Sequence, residues 1–253
     1  MSTIEDAARL LVQARNTRQP LPAADAPLPD AAAAYAVQQA VADSFGWFDE
    51  ARPPRHWKSG GPSRDAVLTH AALPPDGVWT SPAESRDWPF RMRGIEAEIA
   101  LRLARDVDPA FAAQLDHAQA ATLIDAMCVS IEIVDSRWVE GLDASPMAKL
   151  ADLQSHGALV LGAWVAFRAI DWSAQACHVK IGGGAASEWR GTHSMSDPCF
   201  LLPAWLRHAT RNGASVAAGT VVTTGTWVGI LPAAAGDLVS AEFPGIGSAS
   251  VQL

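Results

Sequence analysis

The sequence predicts an α+β protein in which helices lead and strands follow, and three textures along the chain carry that prediction. Two helix-spaced, alanine-containing segments come first, short apolar runs split by Gly, Pro and Asp take over from about residue 56, and two further helical stretches interrupt those runs. At 253 residues the chain can bury roughly three quarters of its unfolded surface if it folds as one body.

The opening "STIEDAARLLVQARNT" has a Ser/Thr start, early acids and apolar residues at helical spacing, the pattern of a capped amphipathic helix. It stops at "RQPLPAADAPLP", whose prolines cannot sustain a helix and which reads as an ordered connection. Asp30 then N-caps an alanine-rich helix, "AAAAYAVQQAVADSF". These helices are too small to stand alone, so residues 1–55 read as a helical segment packed on a main unit, residues 56–253. Within that unit "GIEAEIALRL", "MCVSIEIVDSRW", "HGALVLGAWV", "CHVKIGGG", "GTVVTTGTWVGI" and "LVSAEF" read as strands. "PAFAAQLDHAQAATLIDAM" and "FLLPAWLRHATRNG" read as helices, the second with Gly213 as its C-cap. "KIGGGAAS" lacks the spacing of a phosphate cradle and reads as a hairpin turn.

Composition excludes several functions. Hydrophobic residues make up 49% and charged residues 18%, with ten Trp against one Tyr, a globular rather than disordered balance. The net charge of −8 and the scattered 19 Lys and Arg leave no basic stripe for nucleic acid. No apolar stretch reaches the ~20 residues of a membrane span, and acids stand where a signal peptide carries bases, so an unexported, cytoplasmic protein is expected. Cys128, Cys177 and Cys199 are odd in number and lack metal-ligand spacing, which fits a reducing compartment. There is no G-x-S-x-G to support a serine hydrolase. His193 reads as a structural loop histidine.

The chemistry is concentrated in misplaced acids. If residues 95–103 form a strand, Glu96 and Glu98 share one face about 7 Å apart at their roots and can converge on one cation. If they form a helix, the two diverge by ~200° and Glu98 pairs with Arg102 on a solvated face. Glu132 lies in "VSIEIV", where an ionised carboxylate is costly unless paired or bound to metal; Arg137 and Lys149 are the candidate partners. Three carboxylates together repel unless a divalent ion intervenes, and ligation by oxygen alone favours a hard cation such as Mg²⁺ with positions left for water or a chelating substrate.

These same residues carry a family resemblance. "GIEAEIALRL" followed by "SIEIVDSRW", with "WKSGGP" upstream, "LVLGAWV" between and "AGTVVTTGTWVG…PAAAGDLVSAEFPGIGSASV" at the end, resembles the hydratase/decarboxylase branch of the fumarylacetoacetate hydrolase superfamily. The resemblance runs from "AYAVQQAVA" to the end of the sequence. It implies a mixed, curved β-roll or sandwich flanked by helices, with residues 56–253 as the catalytic β-roll domain. It further implies Mg²⁺ or Mn²⁺ on Glu96, Glu98 and Glu132, binding a 2-oxo or 2-hydroxy-dienoic acid, with Lys58 and Asp76 as catalytic residues and Asp152, Thr224 and Gly225 at the substrate. The implied activity is hydration to a 4-hydroxy-2-oxo acid. Decarboxylation of a 2-oxo-hexenedioate is the close rival, hydrolytic carbon–carbon cleavage a third enzyme option, and a non-catalytic partner subunit the alternative of another class. A homo-oligomer, or its association with a partner enzyme of the same family, is expected. Two positions depart from the family pattern: the aromatic residue between Asp76 and the following glycine is absent, and Leu153 replaces the asparagine after Asp152.

Overall fold

A computed structural model describes residues 3–253. Helices α1 (Thr3–Thr17) and α2 (Ala31–Phe45) precede the strands, as their spacing predicts. Asp30 accepts from the Ala33 N–H and Gly46, at φ +61°, closes α2 in the left-handed conformation that glycine tolerates. Ser2, part of the expected cap of α1, lies outside the described residues. The proline-rich connection is ordered: Leu21 bridges Trp138, with hydrogen bonds to the backbone of Arg137 and Val139.

The strands are β1 (His56–Gly60), β2 (Thr69–Ala72), β3 (Val78–Thr80), β4 (Ala83–Glu84), β5 (Gly94–Leu103), β6 (Ile124–Val134), β7 (His156–Leu161) and β8 (Val165–Ala166). They continue with β9 (Ala176–Ile181), β10 (Ser187–Arg190), β11 (Val221–Thr223), β12 (Leu231–Pro232), β13 (Leu238–Phe243) and β14 (Gly247–Gln252). Among the described residues they form two sheets. The larger runs β2-β1-β11-β5-β6-β7-β3, with β12 beside β5 and β8 beside β6; the smaller runs β10-β9-β13-β14-β4. Both are mixed, because β1–β11, β3–β7 and β14–β4 are parallel.

The sheets pack face to face. Ile95, Ile99, Val129 and Ile131 of the larger sheet join Val239, Ala241, Phe243 and Val251 of the smaller in one buried cluster. Alternation then forces Glu96, Glu98, Ser130 and Glu132 onto the opposite face of the larger sheet. On that face lies a smaller cluster including Leu73, Ala100, Cys128 and Leu159, and α5 (Pro146–Ala151) packs on α2 and beside the edge strand β2. Helices α1 and α2 bury Leu11, Val37 and Val41 with Trp138 and Leu150.

Two expectations change. "PAFAAQLDHAQAATLIDAM" is not one helix but α3 (Pro109–Gln114) and α4 (His117–Ala121), because Leu115 is extended and Asp116 caps a new helix. Ile124 already belongs to β6, where the apolar residues pair with β5. "GTVVTTGTWVGI" contributes only Val221–Thr223 to the sheet; Gly225, at φ +103°, turns the chain away. The expected hairpin forms between β9 and β10, and Gly213, at φ +85°, follows α6 (Leu202–Ala209) and its Thr210 cap in the next turn. No helix among the described residues is long and apolar enough to cross a membrane.

Trp138 ties the helical segment to the body: it is 1% exposed and its indole N–H donates to Ala148 O at 2.8 Å. Trp138→Ala is expected to cost about 3–5 kcal/mol, measured as a shift in the urea midpoint at constant slope.

Candidate metal and substrate site

Antiparallel pairing of β5 with β6 sets Glu96 directly opposite Glu132 and Glu98 opposite Ser130. Carboxylate oxygens of Glu96, Glu98 and Glu132 lie within 4.8 Å of one another, a group that could hold a metal ion. The strand arrangement, not the solvated helix, is therefore the one realised. Glu98 and Glu132 are buried and Glu96 is partly so.

Each acid is held by different means. Glu98 Oε2 accepts from the Thr223 hydroxyl and from the Gly225 N–H at 3.0 Å, and Ser130 Oγ lies 3.0 Å behind Thr223 Oγ1. Glu132 Oε1 accepts from Lys58 Nζ at 2.5 Å and lies 3.1 Å from His156 Nδ1. Its other oxygen, Oε2, is buried with no partner among the described residues. A buried carboxylate with one oxygen doubly engaged and one bare, facing two more carboxylates, has the donor chemistry a hard cation requires.

Charge follows from this crowding. Burial, then repulsion from Glu132 and Glu98, raises Glu96 well above the usual carboxylate range. Burial and Glu132 push Glu98 up to about 7. Burial would raise Glu132 too, but Lys58 and His156 outweigh it and hold the carboxyl below its ordinary value. Lys58 is raised because the three glutamates overcome its burial, and burial lowers His156.

The Lys58 partner was not among the expected ones. Arg137 instead gives Nε at 2.6 Å and its backbone N–H at 2.9 Å to Asp152, while Lys149 donates to Leu142 O. Asp152, fully buried, also receives Arg15 from α1 at 3.4 Å. Its carboxylate thus meets two guanidiniums. After Asp152, Leu153, Gln154 and Ser155 all sit at positive φ, +53° to +58°, a left-handed run that costs roughly 1–2 kcal/mol per residue. The run aims Gln154 O at Lys58 Nζ, 3.2 Å away.

The two threonines part company. Thr223 faces Glu98, whereas the buried Thr224 hydroxyl donates to Ile99 O at 2.7 Å. Gly225 supplies its N–H, and His193 Nε2 lies 2.8 Å from Thr224 O, steadying the turn as a structural histidine. Asp76 is exposed on the short turn Pro75–Gly77; among the described residues its carbonyl takes Trp79 Nε1. It lines a cavity of about 620 Å³ with Arg15, Trp79, Trp88, Arg137 and His156.

Thr223, Ser130 and His156 escaped the sequence reading. The first two were within reach, because strand alternation allows only one of Thr223 and Thr224 to face the acids and puts Ser130 beside Glu132. Nothing local marks His156.

The profile described as Fumarylacetoacetate (FAA) hydrolase C-terminal matches residues 69–253. The chain is 30% identical over 257 residues to a 2-keto-4-pentenoate hydratase of Paraburkholderia phymatum, covering 97% of this chain and 95% of that protein. It is 32% identical over 158 residues to 2-keto-4-pentenoate hydratase 1 of Dechloromonas aromatica, covering 62% and 58%. In fold it is similar to 4-oxalocrotonate decarboxylase from Pseudomonas putida G7 complexed with magnesium and adipate, with a TM-score of 0.82 at 20% identity over 98% of this chain and 96% of that one. The same decarboxylase complexed with calcium and acetate gives 0.81. The chain belongs to the fumarylacetoacetate hydrolase family, with the curved, mixed-sheet fold of its C-terminal domain.

Glu98 holds a proton more tightly when folded, so its contribution to stability is full below the ordinary value of 4.5 and is lost as pH rises through about 7. Without divalent ions the melting temperature is expected to fall across that window. With excess Mg²⁺ the loss is expected to shrink or reverse, because binding draws on the ionised form.

Proposed function

We propose that the chain is a divalent-metal-dependent lyase that adds water to a short 2-hydroxy-2,4-dienoate, through its conjugated 2-oxo-enoate, giving a 4-hydroxy-2-oxo acid. The observation that carries this reading is the convergence of Glu96, Glu98 and Glu132 around a bare buried oxygen, with Lys58 on the same cluster. The full-length likeness to a 2-keto-4-pentenoate hydratase supports the substrate class.

In this reading the three glutamates hold Mg²⁺ or Mn²⁺. When bound, the ion supplies Lewis acidity and binding positions for the carboxylate and 2-oxo oxygens of the substrate. The Thr223 hydroxyl and Gly225 N–H keep Glu98 turned toward the cluster. Lys58 offsets the charge of the dienolate and moves a proton between its carbons. Gln154 O and Glu132 orient that ammonium. Asp76, on the cavity wall, serves a proton at the far end of the diene, and Trp79 and Trp88 give it an apolar flank. The Asp152–Arg137–Arg15 cluster contributes as rigid wall. A cytoplasmic setting is supported by three buried free cysteines, and assembly with further copies, or with a partner enzyme of the family, belongs to the same proposal.

The test is a Mg²⁺-dependent ultraviolet assay on 2-hydroxypenta-2,4-dienoate and its dicarboxylate homologue, with products identified. Loss of dienol absorbance with a 4-hydroxy-2-oxo product is expected; release of carbon dioxide would make the protein a decarboxylase, and no Mg²⁺-dependent turnover of either would overturn the lyase reading. Glu96→Gln and Glu132→Gln should each lower kcat/KM at least about a hundredfold, the upper end of what losing an outer-sphere partner costs. Full Mg²⁺-dependent activity in both variants would remove the metal role assigned to these acids.

A further inference from the structure

The cavity that Asp76 lines is distinct from the acid cluster: it encloses about 620 Å³, and Glu96, Glu98, Glu132 and Lys58 are absent from its walls. Its size suits a small organic ligand, since such sites measure roughly 300–1,000 Å³. It forms where the ends of α1 and α2 meet the main unit, and its two ends differ in character.

One end is cationic. Arg15 stands over the Trp47 ring, 5.2 Å from its centroid, and Trp47 is stacked on Phe45. Among the described residues the hydrogen bond of the Arg15 guanidinium is the long one to Asp152 Oδ1, 3.4 Å, whereas Arg137 takes the same oxygen at 2.6 Å and the second oxygen through its backbone N–H. The other acid at this end, Asp135, lies 3.9 Å from Arg137 and accepts from the Met92 N–H at 2.7 Å. Arg15 therefore has the weaker claim on a shared carboxylate, while its side chain stays 19% exposed. Burial, then the Arg137 charge, pushes its pKa down to about 9, the sense expected of a cation short of counter-charge. Arg18, just past α1, is exposed on the same wall and meets no carboxylate among the described residues.

The other end is aromatic. Trp79 and Trp88 meet edge to face at 5.3 Å, with the exposed Asp76 and Asp87 beside them and Arg86 answering Glu84 at 3.6 Å. A flat apolar body is welcome there, and a second carboxylate would meet like charge.

We infer that this cavity is a binding site for a small monocarboxylic acid, its carboxylate taken by Arg15 and Arg18 and its flat body lying against Trp79 and Trp88. Such an acid supplies the charge that Asp152 cannot give in full to both guanidiniums, and Trp47 and Asp152 already hold Arg15 in place, so binding has little left to order. The site needs no metal ion and stands apart from the hydration reading.

The test titrates the full chain by calorimetry with cinnamate, its neutral analogue cinnamamide and the dicarboxylate 4-carboxycinnamate, once with EDTA and once with Mg²⁺. Cinnamate is expected to bind saturably in both conditions, with affinities within about twofold, and each analogue at least about fivefold more weakly. Arg18→Gln should weaken cinnamate about three- to tenfold and Arg15→Gln at least about tenfold, the range of one charge-assisted hydrogen bond. Absence of binding, or binding that requires Mg²⁺ and so places the acid at the glutamates, overturns the inference. So does equal affinity for either analogue, or undiminished affinity in folded Arg18→Gln. If Arg15→Gln does not fold, the exposed Arg18 and the cinnamamide comparison decide the matter.

Discussion

Three carboxylates and one ammonium, all withdrawn from water onto one face of a sheet, are the constraint to which the rest of this molecule answers. One lysine cannot neutralise three acids, and the low polarity of their surroundings magnifies the mismatch. The protein divides the strain unequally. Glu132 is kept ionised by Lys58, while Glu96 and Glu98 are pushed toward the protonated form by burial and by their neighbours. A site so arranged is destabilised alone and relieved by positive charge, which makes ligand binding and folding stability parts of one equilibrium.

Rigidity makes that arrangement possible. The acids project from paired central strands whose other face is locked into the sandwich core, so they cannot swing apart without dislodging Ile95, Ile99, Ile131 and their partners on the second sheet. Gly157 allows β7 to lie close against this pair: a Cβ there would fall 2.5 Å from Ile133 O. The left-handed run at 153–155 is a local cost borne next to the site, where it delivers a backbone oxygen to Lys58.

How much of this was legible follows from periodicity. The two leading helices, Asp30 as cap, β5, β6 and the β9–β10 hairpin are all local patterns, and the pairing of Glu96 with Glu98 follows from strand alternation alone. The third acid could be placed beside them only through its cost in an apolar run. What stayed hidden is long-range. No spacing in the sequence joins Lys58 to Glu132, 74 positions away, or Arg15 to Asp152, 137 positions away. The helix expected across residues 109–127 failed because sheet pairing at Ile124 overrode local helical composition. The strand expected beyond Thr223 failed because Gly225 serves Glu98 instead of the ladder.

The cross-chain reach of Lys58 and Arg15 has a further meaning. The segment that defines the family, residues 69–253, contains every acid of the cluster and neither of these cations. The acid cluster and the electrostatic partner it needs are thus supplied by different stretches of polypeptide. Strand β1 delivers the counter-charge to the acids from ahead of that segment, so a change confined to β1 would retune the site without touching a single acid in it.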